Sequence, residues 1–112
     1  MTIYEFGDVV LVPFPFTNQI GEKKRPAIVI SSANYNNSKP ALLLMAITSQ
    51  IKKPFSLGEI GIVAWEKAGL IKPSMIKPVM TTVERTLILK KLGQLEVQDK
   101  NALRDILQVI IG

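Results

Sequence analysis

Residues 7–31, GDVVLVPFPFTNQIGEKKRPAIVIS, run from Gly7 to Ser31 and hold two short apolar runs around a loop. Asp8–Val12 is apolar and β-branched, and it ends at Pro13. Ala27–Ile30 is a second run of the same kind. Runs this short, bounded by turn residues, predict strands. Pro13 and Pro15 interrupt ladder pairing, so PFPF is expected to be a sheet edge or a loop entry. Asn18 and Gly21 mark TNQIGEKK as a turn-rich loop. Lys23, Lys24 and Arg25 then place three positive charges at the mouth of the second strand. Charge against a buried strand is unfavourable unless a partner or ligand uses it.

Outward from this stretch the pattern continues. SSANYNNSKP reads as a polar loop, and Ala41–Ile47 as a third strand. Phe55–Val63, with Gly58 and Gly61, predicts a weakly specified strand pair or bulge. AWEKAGL suits a single helical turn. Ser74–Val83 is β-branched but broken by Pro78, which predicts a kinked or edge strand, and Thr86–Leu89 a further strand closing near Gly93. The last segment changes period: Leu103, Ile106, Leu107 and Ile110 share one face of a helix, and Lys100, Arg104 and Gln108 lie on another. Asp99 in its first turn suits the helix dipole. Val109 and Ile111 fall off the stripe, so either the helix end is broadly buried or a partner chain covers it. Five to seven short strands and one C-terminal helix predict a mainly β fold, a small barrel or sandwich. The 112 residues suit one domain, expected to span 1–112.

Composition narrows the chemistry. The chain has neither cysteine nor histidine. A disulfide scaffold and a thiolate metal site are excluded, as is the usual acid–base group at neutral pH. Any hydrolysis must run on Arg, Lys, carboxylates, hydroxyls or water. A net charge of +5 permits a polyanionic partner, though a merely solvating surface would show it too. No run approaches the ~18 apolar residues of a membrane span. MTIYEFGD has no signal-peptide pattern, so a cytoplasmic location without membrane contact is expected.

Four ordered landmarks resemble the MazF/PemK family of toxins from bacterial toxin–antitoxin pairs. They are GDVVLVPFPFT with KKRPAIVIS, AITSQ at 46–50, AGLIKPSMIKP at 68–78, and KKLGQL at 90–95 before the helix. The resemblance implies an SH3-like β-barrel with a C-terminal helix, usually a homodimer. It implies cleavage of single-stranded RNA without metal or other cofactor. It also implies control by an antitoxin, a short protein with a DNA-binding N-terminus and an acidic tail. The family's catalytic Arg and Thr fall on Arg25 and Thr48. A guanidinium can grip two oxygens of a phosphorane, and a hydroxyl can bond one of them. Lys23, Lys24, Lys52 and Lys53 flank the two motifs and could form a rim for phosphates. Ser49 could bond a phosphate oxygen, Gln50 could read a base edge, and Phe16, with Phe14 and Tyr35, could stack bases. Trp65 suits the core or a dimer seam. Asp8 suits bonding to loop amides, with a base role secondary.

Plainer roles compete for these residues: Arg25 as a surface cation paired with Glu5 or Glu22, and Thr48 as a hydroxyl capping a turn. Two other functions compete as well. A CcdB-like toxin binds DNA gyrase on a similar barrel and cleaves nothing, but KKRP together with AITSQ favours the nuclease. A peptide-binding SH3-like module needs an aromatic-lined groove, which 6% aromatic residues supply poorly.

Overall fold

The computed structural model describes residues 3–13 and 23–112. Its six strands are β1 (Asp8–Pro13), β2 (Lys24–Val29), β3 (Ala41–Thr48), β4 (Ile60–Gly61), β5 (Met75–Glu84) and β6 (Lys90–Gln94). They form one sheet in the order β4-β5-β3-β2-β1-β6. Every pairing is antiparallel. Two helices join them, α1 (Ala33–Ser38) and α2 (Val97–Ile111). The architecture is mainly β with a C-terminal helix, as the pattern of short runs requires.

The apolar runs are continuous because the central strands are buried on both faces. Val9, Ile28 and Met45 form one cross-strand row, and Val10, Ala27 and Ala46 the next. Side chains alternate along a strand, so adjacent rows enter opposite cores. The first row joins Ile47, Ile62, Ala68, Leu70, Ile76, Leu95 and Leu103, with Ile106, Leu107 and Ile110 of α2 packed against it. The predicted helical stripe is therefore the face that meets the sheet. The second row joins Tyr4, Val12, Val29, Leu42, Leu44 and Val83. Register shifts at Val9/Val10 against β6, and at Met45/Ala46 against β5, mark irregularities where a sheet bends.

Several expectations are corrected. SSANYNNSKP is not a loop: Ser32 caps α1 by accepting a hydrogen bond from the Tyr35 amide at 3.2 Å. Buried Asn36 docks the helix through its amide nitrogen, which donates to the carbonyls of Tyr4 and Ser31. These tertiary bonds let a polar hexapeptide be helical. Thr86–Leu89 is not a strand; Arg85–Leu87 is a 3-10 turn, and the chain becomes β6 at Lys90. Pro78 does kink β5, falling inside the shift between Lys77 and Met80, but β5 lies between β3 and β4 rather than at the edge. The Pro is tolerated because β4 pairs only with Met75 and Ile76. Pro13 is likewise inside β1, beyond the last β6 pair at Leu11.

AWEKAGL is one helical turn, closed by bonds from the Gly69 amide to the Glu66 carbonyl and from the Leu70 amide to the Trp65 carbonyl. This pair is a Schellman cap, and Gly69 fills its left-handed position at φ +87°. A Cβ on Gly69 would overlap the Leu92 carbonyl, and one on Gly93 would overlap that of Ala68. The turn and β6 thus cross backbone against backbone.

Two buried carboxylates tie loops to this frame. Asp8 lies at the start of β1, fully buried. It accepts from the Glu5 amide and from Gln94, and it pairs with Lys91 at 3.2 Å. Asp99 does not merely face its helix dipole. It is 3% exposed and accepts from the amides of Val63 and Ala64, at 3.0 and 2.9 Å. No helix among the described residues is long and apolar enough to cross a membrane.

Candidate active site and cationic groove

Arg25 stands on β2 opposite Val12, and Thr48 ends β3 opposite Met75. The β2–β3 register runs through the pair Ala27 and Ala46. Two residues further on, in the same antiparallel sense, come Arg25 and Thr48. A step of two keeps each on the face of its alanine. Both therefore emerge where one core ends and solvent begins, 23 residues apart in sequence but at one mouth of the sheet.

Both line a cavity of about 540 Å³ with Lys23, Lys24, Pro26, Ile47, Ser49 and Gln50. The rest of its lining is Leu70, Ile71, Lys72, Ser74, Lys77 and Val79. Five lining residues are cationic, and among the described residues no Asp or Glu joins them. In a partly enclosed groove, charges of one sign reinforce one another and raise the local concentration of a polyanion. The amide of Gln50 donates to Thr48 Oγ1 at 3.1 Å. The expected turn-capping bond is thus present, and it uses a lone pair. The hydroxyl proton stays available to a third group.

The remaining predicted residues divide. Lys52 and Lys53 are exposed beyond the groove and do not line it. Tyr35 sits on α1, and Asp8 lies in the β1–β6 network; neither lines the groove. Glu5 accepts from Gln94 at 2.6 Å. Phe14, Phe16 and Glu22 lie outside the described residues. Sequence reading missed Lys72 and Lys77 as groove cations, and Ile71, 90% exposed, as its apolar lip. The signal was present in LIKPSMIKP, where two lysines bracket a landmark serine. No group of three or more His, Cys, Asp or Glu that could hold a metal ion occurs among the described residues.

A bent antiparallel sheet with a C-terminal helix carries a cationic groove whose lining includes both Arg25 and Thr48. Residues 5–111 match the sequence model of the PemK-like, MazF-like toxins of type II toxin–antitoxin systems, and the chain belongs to that family. The sequence has no significant match among curated proteins. The fold is similar to MazF in a MazE–MazF complex from Deinococcus radiodurans, with a TM-score of 0.75 and 21% identity, over 99% of this chain and 98% of that one. It is also similar to an endoribonuclease bound to its cognate antitoxin from a mycobacterial species, with a TM-score of 0.75 and 12% identity, over 100% and 96% of the two chains. The Mycobacterium tuberculosis MazF-mt6 toxin gives 0.72 and 15%, over 91% and 93%.

Proposed function

We propose that this toxin is a metal-independent endoribonuclease that cleaves single-stranded RNA and is silenced by an antitoxin with an acidic tail. One observation carries the reading: Arg25 and Thr48 open together into a groove that four lysines also line. The RNA 2′-oxygen attacks the adjacent phosphorus as its proton leaves, and the bond to the 5′-oxygen breaks and that oxygen is protonated. The products carry a 2′,3′-cyclic phosphate and a 5′-OH. Charge builds on the non-bridging oxygens of the phosphorane. The Arg25 guanidinium suits them because its fork meets two oxygens at once. The Thr48 hydroxyl, its lone pair engaged by Gln50, donates to a phosphate oxygen. A preorganised donor of this kind is worth roughly 3–4 kcal/mol in the transition state. Lys23, Lys24, Lys72 and Lys77 hold the flanking phosphates, and Ser49 and Gln50 approach the adjoining nucleotide.

The test is incubation of purified protein with a long RNA in EDTA. Discrete fragments with 5′-OH ends are expected. Intact RNA at high enzyme concentration would overturn the reading.

A further inference from the structure

We propose that Asp99, on α2, is a positioning residue for the groove. Its carboxylate serves another element: both oxygens accept from the amides of Val63 and Ala64, 36 and 35 residues earlier. Those amides open the helical turn that ends in Leu70, and Leu70, Ile71 and Lys72 line the groove that Arg25 and Thr48 also line. The segment is also closed on itself. The Ile62 amide donates to the Ser74 carbonyl at 3.0 Å, and Ser74 Oγ donates to the Lys72 carbonyl at 2.9 Å. The glycine crossing at Gly69 and Gly93 pins its middle to β6. Beyond the β4–β5 pairing, the buried carboxylate anchors the start of this piece to α2. Among the described residues, a second charged tie between this segment and the α2 end is Lys67–Glu96 at 3.7 Å. With side chains 75% and 48% exposed, it contributes little. A buried, charge-assisted pair of bonds outweighs it. Asp99 therefore helps set where Ile71 and Lys72 stand, through its bonds to the Val63 and Ala64 amides.

The inference rests on the ribonuclease reading, and it separates binding from chemistry. Arg25, Thr48 and Lys77 are held by the sheet, and Leu70, Ile71 and Lys72 of the lining are tied down through Asp99. Asp99→Asn replaces one acceptor oxygen with an amide that cannot accept. Its KM for RNA is expected to rise about tenfold with kcat within about twofold, the pattern of lost uniform binding. Amide exchange should quicken over 63–72 and stay unchanged in β2 and β3. Asp8→Asn is the control: it removes an equally buried carboxylate from the β1–β6 network, and should lower stability with no change in KM. An unchanged KM in Asp99→Asn, an equal rise in Asp8→Asn, or exchange that quickens uniformly would overturn the proposal. Exchange is read without RNA. A chain that cleaves nothing would therefore defeat the ribonuclease reading, while exchange still decides whether Asp99 holds the 63–72 segment.

Discussion

At the scale of the residue, Arg25 bears the most weight. Its guanidinium shares a groove with the Thr48 hydroxyl and four lysines. Arg25→Ala is expected to remove RNA cleavage, a loss of 10²–10³-fold or about 3–4 kcal/mol, while the fold persists. Arg25→Lys should be nearly as impaired, since an ammonium is a point charge and cannot bridge two oxygens. Circular dichroism and a cleavage assay on the same preparation check this; near-parental cleavage by Arg25→Ala would remove the assignment. Thr48→Ala should lower kcat more than RNA affinity, because the bond to phosphate proposed for it would strengthen as charge develops. Thr48 Oγ1 also accepts from Gln50, so Thr48→Ser, which keeps the hydroxyl, should retain most of the turnover. Single-turnover rates set against equilibrium RNA binding separate the two effects. The types of these residues were legible in sequence. Lys52 and Lys53 were not placed by it: they adjoin the motif in the chain, yet the chain leaves the groove after Gln50. Lys72 and Lys77 come to the groove from a distant segment instead.

At the scale of the element, the helical turn before Leu70 shows what the fold tolerates least. Gly69 adopts φ +87° and abuts the Leu92 carbonyl. Gly69→Ala is expected to destabilise by about 2–3 kcal/mol, from left-handed strain together with backbone overlap. A fall in the urea midpoint with an unchanged m-value would show it, and an unchanged midpoint would refute the crossing. The helix period of α2 was legible because four apolar residues at i, i+3, i+4 and i+7 meet one core. Helix α1 was not. Its residues are polar, and its order comes from the Ser32 cap and from Asn36 bonds to a strand-side carbonyl over thirty residues away. No local pattern encodes such a partner.

At the scale of the whole molecule, two surfaces remain to be used. Val109 and Ile111 are 57% and 71% exposed, off the buried stripe of α2. A homodimer that covers apolar surface in this region is the expected state, and light scattering at micromolar concentration tests it; a monomer would exclude it. The groove is the other surface. An acidic, flexible peptide is expected to compete with RNA there, pairing with Lys23, Lys24, Lys72 and Lys77 and binding more weakly as salt rises. Titration of such a peptide during cleavage checks this: tight binding that leaves cleavage unaffected would show that the two ligands use different surfaces.

The amino-acid sequence alone determined the mainly β class, the α2 stripe and the residue types at the mouth of β2. Each depends on local periodicity, or on a motif that reads the same in any context. Only the tertiary structure decided which side chains share the groove. The β2–β3 register brings Arg25 to Thr48, and the crossing at Gly69 and Gly93 swings Lys72 toward them. It also decided the work of Asp99. A carboxylate in the first turn of a helix looks like a dipole partner in one dimension. In three, burial leaves it facing the Val63 and Ala64 amides, and a buried charge goes to the donors that can satisfy it.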